Sequence, residues 1–234
     1  MHLVEGMVII LVGIILTKIL LLLISRTPIL EKFERINQEH DKAKRSMPKY
    51  ARVLAANKKA ETYPYLIIAL VIAPFFASFD ALPSWRYVTD ILIMLLVYDF
   101  LYYIAHRFLF HGNRYFRRIH GIHHQARDPS YIDAHYVHPV ETTIGLSILG
   151  LSLVIAGMAV GGYNIWSLAV GLFVYSQVNV LIHTQFDLPQ FPYKTATWLV
   201  RKHHLHHLNM NQGNYSSLFL IYDKLFGTLE ADVR

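Results

Sequence analysis

Apolar residues along this chain come in long blocks. Residues 3–25 form the first, crossed in its second half by Lys18, and a helix needs about 20 such residues to pass the hydrocarbon core of a bilayer. It lacks a basic start and is too long for a cleaved leader, so it is expected to be a membrane helix. Residues 64–79 and 87–105 follow, separated by a turn-rich link holding Asp80, Pro83 and Ser84. Residues 142–160 and 164–182 make a further pair, joined at Gly161 and Gly162. The pattern predicts an all-α polytopic membrane bundle of five spanning helices, or four if 64–79, which is short and contains Pro74, turns back within the bilayer. Residues 26–63 carry both charge signs and no apolar periodicity strong enough for a core, and read as a partly helical connector on the inner surface.

Charge placement supports the same picture. Of the 22 Lys and Arg, ten lie in 26–63, five in 107–140 and five in 184–234, leaving only Lys18 and Arg86 elsewhere. With the N-terminus outside, all three basic blocks fall on the inner side, as the positive-inside rule asks. The formal charge of +6 is therefore expected to meet membrane and not nucleic acid. A hydrophobic content of 54% agrees with lipid as solvent. The absence of Cys excludes disulfides, thiolate metal sites and iron–sulfur ligation, which leaves nitrogen and oxygen as metal donors.

Histidine adds chemistry to the bundle. Twelve of the 14 histidines lie between 106 and 207, and the topology brings all of these to the inner face as a histidine-rich cap. His106 and His111 form an HX4H pair; His120, His123 and His124 form HX2HH, as do His203, His206 and His207. Positions i, i+3 and i+4 share a helix face, so each triplet is expected to offer three imidazoles to one point. Residues five apart are about 140° apart on a regular helix, so the helix is expected to end or distort before Gly112. Eight imidazoles exceed one ion's needs, since a zinc site takes about four ligands, and so many near lipid would be costly without metal. No Glu-x-x-His and no HExxH occurs, which excludes the carboxylate di-iron bundle and the zinc proteases. An all-imidazole dinuclear centre remains. His2 and His40 stand apart from it.

The segment from Asp99 through His106-Arg107, then His120, His123-His124, His138-Pro139-Val140-Glu141, His203 to His207, Asn214-Tyr215 and Asp223 to Thr228, resembles the fatty acid hydroxylase / sterol desaturase superfamily. The resemblance covers about residues 90–230 and suggests membrane helices and basic connector over 1–85, with a catalytic domain over 86–234. It implies two iron ions, O2 as co-substrate, and oxidation of a C–H bond in a membrane lipid. Hydroxylation of a fatty acyl or sterol-like lipid leads, with desaturation or carotenoid hydroxylation as alternatives and a non-catalytic metal-binding protein behind them. It implies His106, His111, His120, His123, His124, His203, His206 and His207 as ligands, joined by His183 and His138. The first box is spelled as in acyl 2-hydroxylases, but the 111-to-120 spacing and the element at 138–141 look like the sterol-oxidising side. Asp187 stands where acyl 2-hydroxylases carry another histidine.

A ligating imidazole usually gives its other N–H to an acceptor that fixes its orientation. Asp99, two turns before His106 with Tyr103 between them, is expected to serve the catalytic centre in this way, as are Asn179 toward His183 and Glu141 toward His138. His135 and His204 fit no motif and are structural candidates. Phe100, Tyr103 and Phe173 are candidates to line a sideways lipid path. Without a Gly-rich dinucleotide fingerprint or Cys, electrons are expected from an external protein of cytochrome b5, ferredoxin or reductase type, docking near Arg114, Arg117 and Arg118. The expected setting is a bacterial inner membrane or endoplasmic reticulum, with the metal site on the cytoplasmic face.

Overall fold

A computed structural model describes residues 3–231. The chain enters through α1 (Leu3–Ser25) and turns into α2 (Pro28–Arg45) and α3 (Pro48–Ile67). Pro28 and Pro48 open their helices, at a position whose N–H has no partner within the helix and whose φ proline presets. α3 runs on through a π-helical turn, Ile68–Ile72, into α4 (Ala73–Phe76). Ala73 N donates back to Ile68 O, and the wide turn sits just ahead of Pro74, which has no N–H for a regular bond.

This path corrects two expectations. The connector over 26–63 is two regular helices, and the block 64–79 is largely the second half of a 29-residue rod, Pro48–Phe76. The cap that covers these helices meets them largely through polar contacts. Asn37 and Asn57 are buried; Asn37 Oδ1 accepts from Gln185 N at 2.9 Å, and Asn57 Nδ2 donates to His135 O at 2.9 Å. Asp133 accepts from both Lys44 and the Tyr50 hydroxyl.

At the opposite end, β1 (Ala77–Ser78) pairs in parallel with β2 (Tyr163–Asn164), Ala77 facing Tyr163. From there α5 (Ser84–Ile104) runs to the histidine face and continues as a π-helix, Ala105–His111, followed by α6 (Arg114–His120). α7 (Pro139–Val160) returns to the far end, where Gly161 at φ +74° takes the left-handed C-cap that suits glycine. α8 (Ile165–Leu181) comes back to the histidines, and α9 (Lys194–Leu208) and α10 (Ile221–Leu225) complete the cap.

Among the described residues, Val4–Ser25, Pro48–Phe76, Ser84–His111 and Pro139–Val160 are long and apolar enough to cross a bilayer. α8 is apolar but shorter, 17 residues or about 25 Å of rise, and it carries the chain between the same two ends. The protein is an all-α, multi-pass membrane bundle. Met94, Leu149, Leu153, Ile165 and Leu168 form its buried centre, while Leu11, Ile14, Val71, Phe75, Leu151 and Met158 face outward. Close approach, more than water exclusion, holds such helices in lipid. At Gly157 of α7 an added Cβ would stand 2.8 Å from the Phe76 ring.

Arg86, the basic residue between the charged blocks, closes the far end. Its Nε lies 3.0 Å from buried Asp90 Oδ1, and its Nη2 donates to Val160 O at 2.8 Å, satisfying a carbonyl at the end of α7. Removing one partner of a buried pair costs more than removing both. Arg86→Ala is expected to lower the thermal unfolding midpoint in detergent by an amount equivalent to roughly 3 kcal/mol. The double replacement Arg86→Met, Asp90→Leu should recover most of that loss.

Candidate metal centre

Each histidine of the cap sits at or near the end of an element. His106 and His111 fall in the π-helical extension of α5. A regular helix would splay them, but the wider turn brings their Nε2 atoms to 3.2 Å. The distortion expected before Gly112 is therefore a π-helix. Asn113 starts α6 by accepting from Tyr115 N and Phe116 N, and α6 ends on His120. His123 and His124 lie in the 3-10 turn that follows, His183 just beyond α8, and His203, His206 and His207 on α9.

The nine imidazoles make two buried groups. His106, His111, His120, His124 and His206 form one, and His123, His183, His203 and His207 the other, with the ring nitrogens of each group within 4.8 Å of one another. Each HX2HH triplet thus divides between the groups and does not converge on one point. On α9, His203 and His207, four apart, are about 40° apart in projection, whereas His206 is about 100° from its neighbour His207. Both triplets stitch the two groups together.

The hydrogen bonds fix the tautomers. Nδ1 of His106 lies 2.6 Å from Tyr215 O, that of His111 2.8 Å from Met210 O, that of His206 2.7 Å from Gly213 O and that of His183 2.7 Å from Asn179 O. A carbonyl can only accept, so these rings carry their proton on Nδ1 and present Nε2 as a lone pair. His106 Nε2 then meets the Nε2 atoms of His120, His206 and His111 at 3.0, 3.1 and 3.2 Å. In the second group His203 Nε2 meets those of His183 and His207 at 3.0 and 3.1 Å. Lone pairs held so close repel unless a cation sits among them. With metal–nitrogen bonds of about 2.1 Å, ligands at right angles stand about 3 Å apart, so the donor set fits divalent ions that favour imidazole. Burial, reinforced by neighbouring histidines, also pushes His120, His124, His203, His206 and His207 well below the ordinary imidazole range, which keeps the rings neutral.

The supports differ from those expected. Glu141 Oε1 is 2.6 Å from His120 Nδ1, so it serves His120 and not His138. His138 belongs to neither group: extended backbone before Pro139 turns its Nδ1 onto Val140 N, at 3.1 Å, where it caps α7. Asn179 supports His183 through its main-chain carbonyl. Asp99 holds a loop and not His106. Its carboxylate accepts from Ser217 N and Leu218 N at 2.9 Å and from Phe219 N at 3.3 Å, and that loop begins at Tyr215, whose carbonyl orients His106. Tyr103 receives a hydrogen bond from Arg107 at 2.7 Å and lies 3.1 Å from Thr228 Oγ1. His135 Nδ1 lies 3.0 Å from Glu61 Oε1, His204 bonds the main chain of Thr184, and His40 stands 3.5 Å from Asp128. His2 lies outside the described residues.

Two sets of partners escape the sequence reading. The carbonyls of Met210, Gly213 and Tyr215 have no side-chain signature. Asp223 accepts from Tyr215 N, Ser216 N and Thr228 Oγ1, each at 2.7 Å, and its signal was present in the motif from Asp223 to Thr228.

Both histidine groups open onto one cavity, walled by Tyr65, Tyr98, Tyr102 and Tyr175 with Glu61 and Asn179 among its polar residues. Phe100, Tyr103 and Phe173 are not part of its wall. The model of one family, fatty acid hydroxylase, matches residues 91–228, which hold all nine clustered histidines. The chain belongs to the fatty acid hydroxylase family. Similar family members include a putative methylsterol monooxygenase of Dictyostelium discoideum, 37% identical over 63% of this chain and 54% of its own. Methylsterol monooxygenase 1 of Rattus norvegicus is 30% identical over 64% of this chain and 50% of its own. A very-long-chain aldehyde decarbonylase of Oryza sativa subsp. indica is 32% identical over 63% and 54%. The match thus spans about half the length of these curated relatives. No solved structure gives a significant match.

Two outcomes follow for this fatty acid hydroxylase family site. Glu141→Gln is expected to weaken metal retention about 10- to 100-fold, measured by metal content after dialysis against graded chelator. The depressed histidines make the unfolded chain the better proton binder once pH falls below its ordinary histidine value of about 6.5. Metal-stripped protein should accordingly lose stability as pH drops from about 7 to 5, read by thermal unfolding. An unchanged midpoint would contradict the neutral-imidazole assignment.

Proposed function

We propose that this chain is an O2-dependent di-iron monooxygenase that hydroxylates a C–H bond of a membrane lipid, with a sterol-like lipid as the leading substrate. The observation that carries the reading is the pair of buried groups of neutral imidazoles, five and four, opening onto one cavity within a membrane bundle. Relatives named methylsterol monooxygenases support the sterol side. Residues 86–234 are taken as the catalytic unit, with the polar half of α3 adding to the cavity from 1–85.

Iron held by these nine histidines would supply the redox chemistry with which O2 attacks an unactivated C–H bond. The overall change takes a C–H group, O2, two electrons and two protons to a C–OH group and water. The chain's own residues set the conditions. Main-chain carbonyls and Glu141 hold the rings in the tautomer that offers Nε2. Asp99 and Asp223 fix the loop at 215–219 that carries part of that scaffold. The aromatic walls of the cavity exclude water and orient the substrate.

Electrons come from a separate cytochrome b5, ferredoxin or reductase-type protein. Arg114 and Arg118 are exposed on α6, which ends at His120, and form a basic approach for an acidic donor. The metal site faces the cytoplasm, of a bacterial inner membrane or from the endoplasmic reticulum, a reading that the placement of the basic blocks supports.

Protein purified in mild detergent from iron-supplemented cells is expected to hold about two irons per chain. His206 and His207 belong to different groups, so a His206→Ala, His207→Ala double variant should lose both irons, and each single variant mainly one. With O2 and a reducing system, a methylsterol should gain one oxygen in the parent protein and none in the double variant. Zinc alone, or no metal in either protein, would overturn the reading.

A further inference from the structure

α5 and its π-helical extension carry an outward-facing apolar stripe along their whole length. Trp85, Val88, Leu92, Phe100, Ile104 and Phe108, with Leu96 between them, recur at three- and four-residue steps. All but Leu96 are exposed, on the side of the helix that meets lipid. Leu96 is half-buried because α10 lies across it. Tyr222 donates its hydroxyl to Leu96 O at 2.9 Å and sets its ring 5.2 Å from that of Phe100, while Phe226 stacks on Tyr103 at 5.3 Å. α10 therefore stands on the lipid side of a spanning helix.

Its depth follows from the neighbouring span. Tyr98 meets Tyr175 of α8 with ring centres 4.7 Å apart, and Met94 packs on Gly171. Tyr175 and Gly171 stand six and ten positions before the end of α8 at Leu181, about 9 and 15 Å of helix rise. The Leu96 carbonyl, between Met94 and Tyr98, lies at that depth. Phe100 and Tyr103, which flank α10, also precede His106 along α5, so α10 hangs below the histidines toward the middle of the bilayer.

The backbone leading into α10 is closed as such a depth requires. A non-helical segment at membrane depth must find its hydrogen-bond partners within the protein. The five consecutive N–H groups of residues 215–219 are taken by two carboxylates, Asp223 for the first two and Asp99 for the other three. Ser216, Ser217, Leu218 and Leu220 are buried, whereas Ile221 and Leu225, one turn apart on the outer face of α10, are 48% and 69% exposed. Lys224 has a stem long enough to return its ammonium to the headgroup layer.

We propose that residues 216–226 form a re-entrant element seated in the leaflet on the histidine side, with Ile221 and Leu225 against its acyl chains. Hydropathy along the sequence misses it, because a helix of five residues is far too short to register as a span. Asp223 rides on α10 and holds Tyr215, whose carbonyl orients His106, so acyl chains around Leu225 help to hold the His106 ring.

Because the chain has no Cys, single cysteines placed in the full chain report the depth directly. Leu225→Cys and Ile221→Cys are compared, in lipid nanodiscs, with Leu92→Cys on the lipid-facing stripe and with Phe191→Cys, which is 92% exposed on the loop before α9. Each carries a nitroxide, and electron paramagnetic resonance measures its collisions with O2, which concentrates in hydrocarbon, and with a water-soluble nickel chelate. The O2-to-nickel ratio at 221 and 225 is expected to match that at 92 and to exceed that at 191 about fivefold or more. Ratios nearer to that at 191 would overturn the proposal and make this face an aqueous docking surface. Leu225→Ser is expected to speed amide hydrogen exchange at Ser217 and Leu218 about tenfold in nanodiscs, and exchange unchanged from the parent would overturn the link to the His106 ring. The thermal unfolding midpoint of each variant separates a change of depth from a failure to fold.

Discussion

Neutral imidazoles whose lone pairs face one another at 3.0 to 3.2 Å, as those of His106, His111, His120 and His206 do, have no stable arrangement of their own. The rest of the structure works to impose that arrangement. Nδ1 bonds to carbonyls at 210, 213 and 215 hold three rings of one group, and Glu141 holds a fourth. Those carbonyls belong to a segment without regular structure, so it needs anchors of its own. Asp99 from α5 and Asp223 from α10 supply them through five main-chain N–H groups. A chain of hydrogen bonds thus joins a membrane helix to the clustered imidazoles by way of a loop, and the final element of the cap is one link in it.

Much of this was readable from residue order. The apolar blocks gave the spanning helices, the three histidine boxes and His183 gave the imidazoles that gather in the two groups, and the i, i+5 spacing of His106 and His111 announced a distorted helix. What could not be read depends on contacts distant in sequence. Nothing local shows that Glu141 reaches His120 across 21 positions instead of His138 three away. Nor does spacing show that Asp99 binds main chain near 218. α2 and the first half of α3 looked like a loose connector because they are charged and low in apolar content, and the polar contacts that seat them on the cap lie far away in sequence. Pro28 and Pro48, each at a first helical position, were the overlooked signal.

The family model begins at residue 91, yet the site does not. Asn57, Glu61 and Tyr65 wall the cavity from α3, and Lys44 and Tyr50 fasten to Asp133 in the cap. The N-terminal helices are therefore part of the architecture of the site, placed where variation in side chains can alter what the cavity accepts without touching a metal donor.

The rod from Pro48 to Phe76 joins two environments in one rigid body. One half is apolar, and the polar half lends Asn57 and Glu61 to the wall of the cavity. A helix answers a change of bilayer thickness by tilting, and a rod about 43 Å long turns a small tilt at one end into a displacement at the other. A tilt of the rod would carry Asn57 and Glu61 with it, so the lipid that sets the angle of this helix also bears on the shape of the cavity.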